Sequence, residues 1–287
     1  MIDIVVDSLK DSVIDSIKLL PFLFLTYLLM EWLEHKTSSK TKQLVQKSGK
    51  AGPFFGALLG AVPQCGFSTA GTNLYAGRVI SLGTLFSIYL STSDEMLPVL
   101  LSERAPVDKI LLFLAIKIVI GMLVGFIIDF ILNKFKKNDT NIEKIGHVCE
   151  HDHCHCDKSI FKSSLKHTAI IFCFIFLISL ALNIVMGLIG DENLRAVFAD
   201  RPFLAPVIAG LIGLIPNCAA SVCLTEVYLD GIISVGTLMA GLLPNAGVAL
   251  IVLFRENKGI KKNLSIVALL YLIGVVCGII IGLMGIQ

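Results

Sequence analysis

Gly60-Ala61-Val62-Pro63-Gln64-Cys65-Gly66-Phe67-Ser68 and Gly213-Leu214-Ile215-Pro216-Asn217-Cys218-Ala219-Ala220-Ser221 are two versions of one interruption, and their reading decides the fold. Each breaks a segment that is otherwise apolar. Proline lacks a backbone N–H and its ring clashes with the preceding turn, so a helix ends or kinks there. In hydrocarbon such a break strands amides and carbonyls, each at a cost of several kcal/mol, and it survives only when buried in protein or lining a polar cavity. The carbonyls freed at Pro63 and Pro216, the amides of Gln64 and Asn217, the hydroxyls of Ser68 and Ser221 and the thiols of Cys65 and Cys218 are therefore candidate substrate ligands. Paired kinks made only for packing are the alternative; the polar residues that accompany both breaks favour a site.

The two stretches belong to a longer repeat. A shift of about 150 residues brings further matches into register without a gap. Pro53 falls on Pro206, Gly60 on Gly213, Tyr75 on Tyr228, and Ile80-Ser81-x-Gly83-Thr84-Leu85 on Ile233-Ser234-x-Gly236-Thr237-Leu238. Chance supplies matches among apolar residues, but not Pro, Cys, Ser, Tyr and Gly-Thr in one register.

Composition places the repeat in a membrane. The 287 residues are 55% hydrophobic and 16% charged, against about 25% charged in soluble domains, and the mean hydropathy is +0.82. Residues 51–77, 168–190, 202–225, 231–254 and 263–287 carry no charge, and runs of roughly 20 such residues cross about 30 Å of hydrocarbon. The N-terminus lacks the basic region of a cleavable signal peptide. It carries Asp3, Asp7, Asp11 and Asp15 on one helical face, which reads equally as an interfacial helix leading into a first span over 19–33 or as a solvated helix end.

Basic residues orient the chain. Lys36, Lys40, Lys42, Lys47 and Lys50 follow the first span; Lys134, Lys136, Lys137, Lys144, Lys158, Lys162 and Lys166 fill a central linker; Arg255, Lys258, Lys261 and Lys262 follow Phe254. All three loops are expected on the cytoplasmic side, and the mixed or acidic loops 102–108 and 191–201 outside. Residues 51–133 must then cross an even number of times with three apolar elements, so the interrupted one enters and leaves on the same side. The same parity makes 202–228 a hairpin from the outside. The expected architecture is all-α and integral to the membrane, with about 8–10 transmembrane segments in two inverted-topology repeats, each holding a Pro-broken hairpin. Its parts are a first repeat over 1–133, a cytoplasmic linker over 134–166 and a second repeat over 167–287.

Other polar residues stand out against this background. Thr92-Ser93-Asp94-Glu95 interrupts the apolar run 79–101, and with Pro98 it predicts a second bend toward the cavity. A carboxylate at that depth is expensive and usually functional; an outer-interface position is the alternative. The related stretch Leu243-Pro244-Asn245-Ala246-Gly247 has no acid, so the first half carries the charge. Glu226 and Asp230 fall at an expected outer end. Lys117, central in its span, needs a partner, for which Asp94 or Glu95 is the candidate, and a buried lysine can also respond to protons. The linker reads His147-Val148-Cys149-Glu150-His151-Asp152-His153-Cys154-His155-Cys156-Asp157. Imidazole and thiolate at this density suit zinc, copper(I) or another soft or borderline cation, so His147, Cys149, His151, His153, Cys154, His155 and Cys156 are candidate metal ligands. A cytoplasmic position argues against disulfides.

Neither a phosphate-binding G-x-x-x-x-G-K-[ST] nor an H-E-x-x-H occurs, which points away from such an ATPase or zinc protease. The motifs Pro63-Gln64-Cys65-Gly66-Phe67-Ser68, Thr92-Ser93-Asp94-Glu95, the His/Cys linker with Lys166-His167-Thr168, Pro216-Asn217-Cys218 and Leu253-Phe254-Arg255 resemble a family of ten-span heavy-metal exporters. Its members are commonly named arsenic efflux proteins or manganese transporters. The resemblance covers nearly the whole chain and implies a multi-pass permease of the cytoplasmic membrane rather than an enzyme. The expected cargo is a small inorganic ion, a manganese, zinc or arsenic species, moved with a proton or sodium ion as coupling partner. No tightly bound cofactor and no nucleic-acid partner are expected. The alternative is a permease for arsenite, an organic arsenical or another small solute, with the linker as a metal-responsive regulator.

Overall fold

The computed structural model describes residues 51–62, 65–93, 96–135, 204–257 and 259–285, with isolated helical positions between 9 and 28 and between 165 and 184. Ten helices have both ends within these residues, and no strand occurs among them: α1 (Gly52–Gly60), α2 (Cys65–Ala76), α3 (Leu82–Ser91), α4 (Met96–Ser102), α5 (Val107–Phe135), α6 (Ala205–Gly213), α7 (Cys218–Leu229), α8 (Val235–Leu242), α9 (Ala249–Glu256) and α10 (Ile260–Leu283). The second five recur at one constant offset. Ala205 follows Gly52 by 153 residues (205 minus 52), and Cys218, Val235, Ala249 and Ile260 follow Cys65, Leu82, Met96 and Val107 by the same interval.

Matching sequence signals start the matching helices. Pro53 and Pro206 lie in the first turns of α1 and α6, where a missing N–H leaves no bond unmade. Ser81 and Ser234 adopt extended dihedrals and cap α3 and α8, accepting from the Thr84 and Thr237 amides at 3.1 and 3.3 Å. The repeated Ile-Ser-x-Gly-Thr-Leu is thus a helix start. The first half adds a carboxylate: Asp129 of α5 accepts from the Ser81 hydroxyl at 2.6 Å and from the Gly83 amide at 3.0 Å. An anion is favoured at the positive end of a helix, which accounts for this acid in an apolar span.

Among the described residues, two helices are long and apolar enough to cross a membrane. These are α5 and α10, of 29 and 24 residues. At about 1.5 Å per residue they rise about 43 and 36 Å. The other eight have 7–12 residues, roughly half a bilayer or less. The run 79–101 is divided between α3 and α4, where a bend was expected. The run 232–254, expected as one span, is divided as well. Helix α8 ends at Leu242 and α9 begins at Ala249, because Pro244 offers no N–H and Asn245 Oδ1 accepts the Gly247 amide at 3.0 Å, with Gly247 at φ +53°. Apolar neighbours hide this break from hydropathy, yet all of 235–253 is buried.

Small residues hold the short helices to the long ones. Gly121 and Gly125 of α5 meet the α3 backbone, and Gly274 and Gly278 of α10 meet α8. A Cβ on Gly125 would overlap the Ser87 hydroxyl and lie 2.6 Å from the Gly83 carbonyl; on Gly278 it would lie 2.6 Å from the Gly236 carbonyl. This is the small-x-x-x-small packing of membrane helices. Along α1, a Cβ on Gly56 would be 3.0 Å from the Thr84 carbonyl, and one on Gly60 would strike Ser91 and the Ile88 carbonyl. Helices α1 and α3 therefore run side by side in the same direction. Between the halves the contacts are reciprocal, α2 packing on α9 and α7 on α4.

Gly125→Val and Gly278→Val are each expected to destabilise the protein by about 1–3 kcal/mol through overpacking, read as a lower Tm in detergent. Gly282→Ala is the matched control. Its Cβ would sit 3.7 Å from the nearest atom, at Gly236, and it should leave the Tm unchanged or raised.

Candidate functional site

The breaks lie at one level of the molecule. Ser91, the last residue of α3, packs on Gly121 of α5, and Gly60, the last of α1, touches Ser91. Lys117 lies one turn before Gly121 on the same face of α5. It is 1% exposed, and its Nζ donates to the Leu242 carbonyl at 2.9 Å. Leu242 ends α8 in the other half, where the last-turn carbonyls have no intrahelical donor. An ammonium suits that negative helix end. Asp94 and Glu95, the sequence candidates for the partner of Lys117, lie outside the described residues.

The first half satisfies carbonyls around its own break locally. Ser91 donates to the Ser87 carbonyl at 2.7 Å, Thr92 to the Ile88 carbonyl at 2.7 Å and Ser93 to the Ser91 carbonyl at 3.1 Å. All three are buried. Their protons are turned to the backbone, while each oxygen keeps lone pairs that can accept from, or ligate, a solute.

The helices that follow the Pro breaks repeat one arrangement. Thr72 donates to the Ser68 carbonyl at 2.8 Å, and Thr225 to the Ser221 carbonyl at 2.7 Å. Ser68 and Ser221 are buried. Thr72 also shares a 2.6 Å hydrogen bond with the Tyr89 hydroxyl, joining α2 to α3. Asn217 is buried and caps α7, its Oδ1 accepting from the Ala219 amide at 3.2 Å, so this oxygen already has a structural task. Pro216 is half-buried beside it.

Of the residues singled out from sequence, the structure thus gathers Thr92, Ser93 and Lys117 around the broken helices and buries Ser68, Asn217 and Ser221 at the starts of α2 and α7. Cys65 and Cys218 open those helices as backbone positions. Their side chains, Pro63, Gln64, and the tract His147, Cys149, His151, His153, Cys154, His155 and Cys156 lie outside the described residues. Among the described residues no three His, Cys, Asp or Glu side chains cluster as a metal site. Sequence reasoning passed over Thr72, Tyr89, Asn73 and Asn245. A signal existed for the first: Thr72 and Thr225 coincide in the repeat, one turn after Ser68 and Ser221.

Residues 1–189 and 135–284 match a family described as "Putative, 10TM heavy-metal exporter". No curated protein and no solved structure matches the chain.

Lys117→Met keeps the apolar stem and removes the ammonium. The Leu242 carbonyl then loses this donor in a dry interior, at a cost of about 1–3 kcal/mol. The expected result is a lower Tm in detergent, with a loss larger than that of a neutralised surface lysine such as Lys261.

Proposed function

The chain belongs to this family of multi-span heavy-metal exporters, and from that premise we propose that it is a secondary permease of the cytoplasmic membrane that exports a heavy-metal or divalent metal ion through a site between its broken helices. The observation that carries the proposal is the junction of the α1 tip, the α3–α4 break and the α8–α9 break, tied by Lys117 to Leu242 and lined by buried hydroxyls. Irregular backbone at depth is a hallmark of transporter sites.

The packing supports hairpins. Helix α1 runs alongside α3 in the same direction, and α2 must carry the chain back to the start of α3 at Ser81. Counting each hairpin as two segments brings two halves of five to the family's ten. The reciprocal contacts of α2 with α9 and of α7 with α4 support a pseudo-twofold pair, and the distribution of positive loops in the sequence supports an axis in the membrane plane, with the repeats inverted. In this scheme the His/Cys linker gathers metal from the cytosol. Cys65, Cys218, Gln64, Asn217, Asp94 and Glu95 then bind it, and rocking of the halves releases it outside against a proton or sodium gradient. Oxygen ligands favour manganese; thiolates favour zinc or arsenite.

A second reading draws on a different observation. Among the described residues Lys117 is the one charged side chain in the buried set. An interior of that kind suits a neutral or anionic solute such as arsenite or an organic arsenical, with the linker sensing metal rather than delivering it.

Flux across a panel of manganese, zinc and arsenite in reconstituted vesicles tests both. Asp94→Asn and Cys65→Ser are each expected to reduce flux of the true cargo by tenfold or more, on the order of a lost charge-assisted contact; wild-type flux in both variants sinks the proposed site. Deleting residues 147–157 separates the readings. A delivery tract lowers metal flux at low metal, whereas a regulatory tract changes metal sensitivity and leaves flux of the true solute intact.

A further inference from the structure

Asn73 lies within α2 and is 4% exposed, and both its Oδ1 and its Nδ2 are buried with no hydrogen-bond partner among the described residues. A carboxamide brings two N–H donors and an acceptor oxygen. Native interiors leave few such groups unpaired, and one orphaned at both ends marks the place of something bound. Its direction can be read from its neighbours. A Cβ on Gly71 would meet Ile88, and Thr72 bonds to Tyr89, so both face α3. At 3.6 residues per turn, Asn73 lies about 200° round the helix from Gly71, on the side away from α3. The other principal neighbour of α2 is α9, which belongs to the second half. The orphaned amide therefore lies at the seam between the halves, about two turns into α2.

We propose that Asn73 contacts the transported solute in this seam and takes it as a species bearing O–H groups, either the water shell of a hydrated divalent cation or the hydroxyls of a neutral metalloid hydroxide. The inference rests on the permease reading above. Only such a species serves both ends of the amide at once, since its O–H groups donate to Oδ1 and its oxygens accept from Nδ2. A bare cation would satisfy Oδ1 alone, and a fully deprotonated oxyanion Nδ2 alone. The described surroundings have the same neutral polarity: Thr69 lies one turn away on the same face and is buried.

The test is Asn73→Leu in the full chain, reconstituted in vesicles and probed with Mn2+ and with arsenite. Leucine removes the orphan, so the Tm is expected to hold or rise. The KM for the carried probe is expected to rise about tenfold, the loss of roughly one hydrogen-bonded contact. Asn73→Asp separates the two sources. A carboxylate keeps a hydrated cation, so the KM for Mn2+ holds or falls; it takes the N–H donors from a neutral hydroxide, so the KM for arsenite rises. If the leucine variant yields no folded protein, Asn73→Ala carries the same comparison. A wild-type KM for every probe the parent carries overturns the proposal and leaves Asn73 as the seat of an ordered water. A parent that carries neither of these probes nor Zn2+ overturns the permease reading, and this inference with it, before any substitution is made.

Discussion

A carbonyl at the end of a helix that stops inside the protein has no water to turn to, and the structure is organised around the places where this happens. Each half stops helices in the buried interior. The first half answers with hydroxyls two to four residues from the carbonyls they serve, as Thr92 serves Ile88 and Ser93 serves Ser91. The second half lacks such hydroxyls around Leu243-Pro244-Asn245 and receives a donor from outside, Lys117 of α5. The need of one break is thus met across the interface, and this draws the interruptions of both halves to one level.

The eight short helices depend in turn on the two long ones. A helix of 7–12 residues is marginal by itself, and here most of its stability must come from packing. Glycines at 121 and 125 and at 274 and 278 bring the backbones of α3 and α8 close to α5 and α10, where dispersion replaces the hydrophobic drive that lipid cannot supply. The unbroken spans act as posts against which broken ones are held, and polar backbone can be kept at the centre only because the posts lie so near.

Much of this was legible in residue order. The constant offset was visible in Pro, Cys, Ser and Gly-Thr matches, and the element order repeats it. The Pro63 and Pro216 breaks and the bend at Thr92 were read from proline and from polar residues in apolar runs. The α8–α9 break was not, because Pro244 sits among leucine, alanine and valine and the run stays apolar throughout. Lys117 was recognised as costly and central, but its carbonyl acceptor is a backbone atom 125 positions away, which no side-chain pattern encodes. Asp129 gave no separate signal within its apolar span; its task, accepting from the Ser81 hydroxyl and the Gly83 amide at the start of α3, shows only in the packing. Asn73 carried no signal at all, since a single asparagine in a helix shows its missing partners only once its neighbours are placed.

The bond from Lys117 has no mirror image. Leu270 occupies the corresponding place on α10, and it has nothing to give to the Tyr89 carbonyl that corresponds to Leu242. A dimer of two identical halves would hold either two such lysines or none. Here the two halves sit in one chain and differ at this point: one carries the hydrogen-bond donor, and the other, with no hydroxyl at its break, carries the acceptor.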